Sequence, residues 1–381
     1  MIIRQEKKSV DRWLMGAVLV LIILGILCVY SASSYWGADR HGNAMLFMRN
    51  HLVRVMVGLI GLVILSNTPY YRLRSLTPAF LALTLTLLMV VLFLPSFHGA
   101  RSSFVMLGKR FQPSEFMKLV IILYLSAVFA KALDTERLDA KQTGIHFGML
   151  LLTVALVFME PDLGSAVVLF LVGFVLFVIA GVEWKILLKM SGAIALIILP
   201  GILIFPHQRD RVFSFVASIF GGGEVEHQAR HSLIGLAHGG LFGVGYGEGK
   251  EKFLFLPEPF SDFILASLGE EWGFIGILAV FLALLVILWR GYRIAVRAPD
   301  CYGYLLAGGI TSMILVGALI NAAVVVRLLP TTGLTFPFIS YGGSSLLVHL
   351  AAVGILLNIS KNKGLPSKDY SYRRRQDGLS L

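Results

Sequence analysis

The strongest constraint on this chain is a series of apolar runs, each about 20 residues long, the length an α-helix needs to cross a hydrocarbon core of ~30 Å. Lipid offers no hydrogen bonds, so a spanning segment must satisfy its own backbone, and repeated runs of this kind specify a helix bundle rather than an open sheet. The 381 residues are 57% hydrophobic and only 14% charged, whereas a soluble domain is about 25% charged. With a mean hydropathy of +0.80, a soluble cytosolic enzyme is excluded. Spans are expected near 13–33, 47–66, 76–94, 112–130, 145–159, 164–181, 184–205, 263–289, 302–326 and 341–359. The apolar stretch from Thr143 to Ala180 divides at Glu160-Pro161-Asp162, because two carboxylates and a proline are costly at mid-bilayer. The fold class is therefore an all-α integral membrane protein of about ten transmembrane helices. Residues 13–359 form its body, between an N-terminal tail (1–12) and a basic C-terminal tail (360–381).

The first run lacks a small-residue cleavage site behind it and reads as a span, not a removable signal. Cys28 and Cys301 are the only cysteines and imply no disulfide framework. The net charge of +11 does not indicate nucleic acid, because no soluble basic domain remains to form a groove. It sorts by membrane side instead: roughly nineteen Lys and Arg fall in one set of loops and tails and about eleven in the other. The richer set contains Arg4, Lys7, Lys8 and Arg12, then Arg72 and Arg74, then Arg290, Arg293 and Arg297, then Lys361 through Arg375. By the positive-inside rule both termini are expected in the cytoplasm, and the one long connection, 206–262, on the outer side. Each basic cluster also reads as an anchor beside anionic lipid.

Ionisable groups at membrane depth are functional candidates because each is costly unless paired or hydrated. Leu256-Pro-Glu-Pro-Phe-Ser-Asp-Phe263 leads from the long loop into the eighth span. There Ser261 or Asp262 can cap the helix, or Asp262 can act as a general base at the water-facing mouth of the bundle. Phe111-Gln-Pro-Ser-Glu-Phe-Met-Lys118 enters the fourth span; Glu115 and Lys118, three apart on one face, suit a structural ion pair. Lys109 and Arg110 just before it can hold pyrophosphate. The stretch Gln228 to Lys250 is dense in glycine, which permits close backbone approach to a ligand or merely packs a re-entrant loop. It lacks the spacing and preceding strand of a P-loop, and His231 and His238 make a weak metal pair. Leu329 to Ser345 places prolines, glycines and hydroxyls at membrane depth, as a cavity wall or a broken transporter helix would.

In the order and spacing of these motifs, together with Glu160-Pro-Asp-Leu-Gly164, Gly269-Glu-Glu-Trp-Gly273 and Pro337-Phe-Ile-Ser-Tyr-Gly-Gly-Ser344, nearly the whole chain resembles the SEDS family (shape, elongation, division and sporulation). Leu329-Pro-Thr-Thr-Gly-Leu-Thr335 resembles its division branch, FtsW, more than the elongation branch, RodA. The resemblance implies a peptidoglycan glycosyltransferase of the bacterial inner membrane that polymerises lipid II and releases undecaprenyl diphosphate. It also implies a class b penicillin-binding transpeptidase and other division proteins as partners, and matches the family's essential aspartate to Asp262. Where the family usually reads Ala-His-Thr before that aspartate, this chain has Pro259-Phe260-Ser261, so serine supplies the hydroxyl and the histidine is missing.

Such a reaction needs one base and a charge clamp for the pyrophosphate leaving group. The expected clamp comprises Arg49, Lys109, Arg110, Lys252 and Arg327, with Ser261 and Ser340 as further contacts to substrate. A divalent cation, Mg2+ or Mn2+, can bridge the phosphates, with Glu258 tuning Asp262 or sharing the metal. Glu270 and Glu271 lie about two turns deeper, roughly 12 Å along a helix, and are poor partners for the same atom. A lipid or solute transporter is the rival reading, and would gather its polar groups at the midplane rather than at the outer edge. A non-catalytic division scaffold would make Asp262 dispensable.

Overall fold

The computed structural model describes residues 10–94, 103–106, 109–135, 139–221, 226–254 and 259–361. The basic residues before position 10, those after Lys361, and Glu258 lie outside this set, as does the side chain of Lys109. In chain order the elements are α1 (Arg12–His41), α2 (Leu46–Asn67), α3 (Tyr70–Val91), β1 (Phe104–Met106), β2 (Lys109–Phe111), α4 (Pro113–Asp134), α5 (Ala140–Met159), α6 (Leu163–Ile179) and α7 (Trp184–Ile204). Three short helices follow, α8 (Pro206–Ile219), α9 (His227–Gly239) and α10 (Glu251–Leu254), then α11 (Ile264–Val296), α12 (Cys301–Val325) and α13 (Gly343–Lys361). Among the described residues nine helices are long and apolar enough to cross a bilayer. The tenth, α6, is a shorter apolar helix of 17 residues, about 26 Å long.

The helices begin where capping chemistry allows. Asp11, Asp139, Asp162 and Asp300 each accept a backbone N–H from the first turn of α1, α5, α6 and α12, satisfying donors that a helix start leaves unpaired. α4 opens with Pro113 at its first position, where the missing N–H costs nothing. Several ends extend past the expected spans. α3 starts at Tyr70 rather than near 76, and α11 runs to Val296 rather than 289. The apolar core marks the hydrocarbon, but the helix continues through the headgroup layer, where Arg72 and Arg74 can stay hydrated. The described part of the long connection is largely helical, carrying α8, α9 and α10.

Short connections make successive long helices antiparallel, so the bundle has two ends. At the tail end, where α1 starts and α13 finishes, Arg290 on α11 pairs with Asp11 and Asn358 on α13 binds both Ser66 and Tyr70 at the α2–α3 turn. At the opposite, site end, the β1–β2 hairpin, the α5–α6 turn, α8 to α10 and the 326–342 loop come together. α13 is buried along nearly its whole length against α2, α4 and α12. Leu188, Leu196 and Leu199 of α7 are exposed, as are Met56, Ile60 and Ile64 of α2, an apolar exterior suited to lipid.

α11 breaks at Gly273, whose φ of 66° and ψ of −163° interrupt the helix. The carbonyls thereby released at Glu270 and Glu271 accept from Val244 and Gly245, and the freed amides of Phe274 and Ile275 donate to Gly240 and Leu241. The glycine stretch is thus the backbone partner of the broken helix. Gly243 has φ 81°, and a Cβ there would overlap the Glu271 carbonyl, so this contact requires glycine.

Candidate active site

Asp262 sits one residue before the Phe263 cap of α11, at the site end, and is partly exposed. Its segment is held through its backbone. The carbonyl of Phe260 accepts from Tyr341 N at 2.9 Å, that of Ser261 from Ser340 Oγ at 2.7 Å, and that of Asp262 from Asn321 Nδ2 at 2.8 Å. Asn321, 1% exposed on α12, also donates to Leu334 O at 2.6 Å. Ser340 Oγ in turn accepts from Phe336 N. Three residues of the α12–α13 region therefore fix three consecutive residues of the candidate segment, and each link is a neutral hydrogen bond to a backbone carbonyl. Ser261 Oγ donates to Asp262 Oδ1 at 2.9 Å. The carboxylate faces the 332–334 backbone, because a Cβ on Gly333 would lie 3.6 Å from Oδ2.

Around this segment the structure gathers an aromatic and cationic rim. The rings of Phe47, Phe260 and Tyr341 lie within 4.7 to 5.6 Å of one another. Arg54 of α2 lies 4.2 Å above the Tyr341 ring, a cation–π contact that orients the guanidinium. Its Nε approaches the same point near Gly343 that the Arg110 carbonyl borders. Arg49 is exposed in the first turn of α2, and Arg110 is exposed on β2. Arg54 and Asn321 were absent from the sequence-derived set. Both carried the signal used for the others, a strongly polar side chain inside an apolar run.

Lys252 departs from the expectation of a surface cation. It is 2% exposed, and its ammonium donates to Glu271 Oε1 at 2.5 Å, Ser31 Oγ at 2.8 Å and the Gly247 carbonyl at 2.8 Å. The four-residue α10 turns it inward, onto α1 and α11. Glu270 accepts backbone amides of Lys250 and Glu251 at 2.7 and 3.3 Å, and His231 pairs with Glu251 at 2.6 Å, so the acids and histidine of this region are structural. His238 is exposed. Arg327, at φ 58°, borders a small hollow with Glu226 and Thr331 beside α8. Among the described residues no three His, Cys, Asp or Glu converge as a metal site.

Glu115 and Lys118 form a buried pair at 2.6 Å. Beside them, Gln112 links β2 to two other elements, donating Nε2 to Asp162 Oδ2 at 2.8 Å and its backbone N–H to Ser344 Oγ at 2.9 Å. Burial pushes the Asp162 carboxyl up, opposed by the nearby Lys118 charge. Glu160 is fully buried with neither carboxyl oxygen hydrogen-bonded. Burial, reinforced by Asp162, pushes it up to about 9, so it stays neutral at pH 7.

Residues 12–364 match the family model of FtsW, RodA and SpoVE, described as a cell cycle protein. Stage V sporulation protein E of Bacillus subtilis is 35% identical, over 93% of this chain and 98% of that protein. A probable peptidoglycan glycosyltransferase FtsW of Geobacter sp. is 36% identical, over 90% of this chain and 94% of its own length. The fold superposes on a chain solved in a peptidoglycan synthase complex, with a TM-score of 0.75, 26% identity and coverage of 93% and 98%. It also superposes on the Thermus thermophilus rod shape determining protein RodA, with a TM-score of 0.70, 25% identity and coverage of 94% and 98%. A match of this extent means that the chain belongs to the FtsW, RodA and SpoVE family.

Proposed function

We propose that Asp262 is the general base with which this chain, a peptidoglycan glycosyltransferase, extends a glycan strand from lipid II at the outer face of the cytoplasmic membrane. The observation that carries this reading is the three-point backbone clamp on Phe260, Ser261 and Asp262. It immobilises the aspartate while its carboxylate stays partly exposed. A base must be fixed within hydrogen-bond reach of the proton it takes, and this one is fixed without a salt bridge in that clamp.

The sugar C4 hydroxyl of lipid II attacks the anomeric carbon of a strand anchored through undecaprenyl pyrophosphate. A bond forms between O4 and C1, the bond from C1 to the pyrophosphate oxygen breaks, the hydroxyl proton passes to Asp262, and undecaprenyl pyrophosphate leaves with the electron pair. Negative charge builds on the leaving oxygen, so cations at the rim lower the barrier. Arg54 reaches this rim over Tyr341 and beside Gly343, and Arg49 and Arg110 are exposed at the same end. Lys252 is committed to Glu271 and has no part in the clamp. Ser261 holds the carboxylate, and Ser340 holds Ser261.

A divalent cation, Mg2+ or Mn2+, fits as an ion carried by the substrate, since such ions bind through one or two carboxylates and several phosphate oxygens. Asp262 would be the carboxylate on this chain that meets it, and its chemistry would be to neutralise pyrophosphate charge. Orientation follows from the loop charges, with both chain ends in the cytoplasm. A crosslinking transpeptidase as partner is supported by the fold's likeness to a chain solved within a peptidoglycan synthase complex. The division role rests on the likeness to proteins named FtsW.

The test is polymerisation of lipid II by purified protein, alone and with a transpeptidase, with Mg2+, Mn2+ or chelator. Asp262→Asn is expected to lower the rate by about 10²- to 10⁴-fold with an unchanged thermal midpoint. A normal rate in that variant overturns the base assignment.

A further inference from the structure

At the tail end of the bundle, far from Asp262, α11 finishes with Arg290, Arg293 and Arg297 at positions i, i+3 and i+7, one helical face. These three border a hollow of about 10 Å³ together with Asp11 and Ser360, space for one oxygen-sized group. Asp11 is already engaged: its carboxylate takes Arg290 Nε at 2.8 Å and Nη2 at 2.5 Å, and the N–H of Leu14 at 3.1 Å. Among the described residues, no carboxylate pairs with Arg293 or Arg297. Among the described residues, three guanidinium groups border the hollow against one carboxylate, an excess of two positive charges.

The depth of this hollow is marked independently. Trp289 ends the uncharged apolar run that begins at Phe274, and both Arg290 and Arg293 lie 5.1 Å from its ring. Trp289 and Tyr292 are about half exposed, and exposed Trp and Tyr at a helix end mark the headgroup layer. An anion at this level, beside guanidinium forks that match phosphate geometry, is the phosphate of a lipid.

We infer that the hollow bordered by Arg290, Arg293, Arg297 and Ser360 is a binding site for the phosphate of an anionic phospholipid. One phosphate oxygen enters the hollow, Arg293 and Arg297 grip the remaining oxygens from the rim, and the acyl chains lie along the exposed apolar side of α11 (Leu278, Leu282 and Leu285). The occupant would brace α11 at the end opposite Asp262 while Arg290 stays with Asp11. The inference is independent of the reaction proposed above, so a failure of either leaves the other standing.

Native mass spectrometry of the full chain released from nanodiscs of mixed phosphatidylglycerol and phosphatidylcholine tests it. The variant Arg293→Gln/Arg297→Gln keeps the Arg290–Asp11 pair. It is expected to retain roughly ten- to thirty-fold less phosphatidylglycerol than the parent, at about 1 kcal/mol per basic residue lost near the surface. A control variant, Arg72→Gln/Arg74→Gln, removes two cations from the same end without touching the hollow and is expected to retain lipid normally. If the control loses as much, general surface attraction explains the binding and the site is wrong. Equal retention of phosphatidylcholine, or undiminished phosphatidylglycerol in the double variant, also overturns it. Displacement of the lipid by millimolar inorganic phosphate would assign the same grip to free phosphate, against the lipid. Should the double variant fail to fold, the single Arg297→Gln, at an exposed position, is expected to lose about five-fold and decides the matter alone.

Discussion

The start of α11 presents carboxylates in two settings about two turns apart. Glu271, 3% exposed, is saturated by Lys252 and Ser31, and Glu270, 1% exposed, by backbone amides of the glycine-rich loop. Asp262 is partly exposed, and the hydrogen bonds that fix its segment end on backbone carbonyls. A carboxylate whose charge is spent on a buried cation ties elements together. One whose backbone is tied while the residue stays partly exposed is placed to take and release a proton. On the proposed reading the first region is expected to govern stability and the second rate, and the largest expected effect is the loss of 10² or more in rate for Asp262→Asn with little change in melting.

The complementary effect belongs to the buried pair. Removing one partner leaves the other charge unpaired in a low-dielectric interior, at a cost of about 3–5 kcal/mol. Lys252→Met should thus lower the thermal midpoint sharply, and Lys252→Met combined with Glu271→Leu should recover most of it, since two apolar groups of similar size can replace a buried ion pair. Residual polymerisation per folded molecule should stay near that of the parent. If Lys252→Met instead left stability intact and abolished polymerisation, the division between the two regions would collapse and Lys252 would return to the pyrophosphate clamp.

Much of this architecture was legible in the sequence because lipid is a demanding solvent. Each span had to be apolar and about 20 residues long, and Glu160-Pro161-Asp162 did fall between α5 and α6. Asp262 was legible through its place at a helix mouth and through the family likeness, and Glu115 with Lys118 through their spacing. Long-range pairing was not. Nothing near Lys252 announces Ser31, 221 residues away in the chain, and a surface loop rich in glycine and charge looks solvated until the break at Gly273 is known. The same holds for Asn321, which reads as one polar residue in α12 until its two carbonyl partners are seen.

Glu160 extends the comparison to a third setting, a carboxyl buried with no partner at all. Its pKa in the folded protein, about 9, lies above the ordinary 4.5. Below about pH 4.5 it is protonated whether the chain is folded or unfolded. Between those values only the unfolded chain ionises, so stability falls as pH rises, by at most about 1.4 kcal/mol per unit, and the loss is complete above about 9. From pH 4.5 to 7 this amounts to about 3 kcal/mol. Glu160→Gln should flatten the pH dependence of the thermal midpoint between pH 5 and 9. Parallel curves for the two proteins would mean that Glu160 is hydrated or paired, contrary to its burial.

The smallest effect tests the clamp itself. Asn321 offers one amide nitrogen to two carbonyls, Asp262 O and Leu334 O, and Asn321→Ala leaves both buried acceptors without their donor, at about 1–3 kcal/mol. As a positioning residue it should lower kcat by about ten-fold, equivalent to ~1.4 kcal/mol in the barrier, with KM nearly constant and the pH profile unmoved, because the base is displaced rather than replaced. Asn321→Asp is the sharper variant. It has the same shape but turns a donor into an acceptor facing two carbonyl oxygens, so repulsion adds to the lost bonds, and it should fall below Asn321→Ala in both kcat and melting temperature. If the aspartate variant matched the parent, size rather than hydrogen bonding would be what Asn321 supplies, and the backbone clamp could not be what distinguishes Asp262 from the saturated carboxylates deeper in α11.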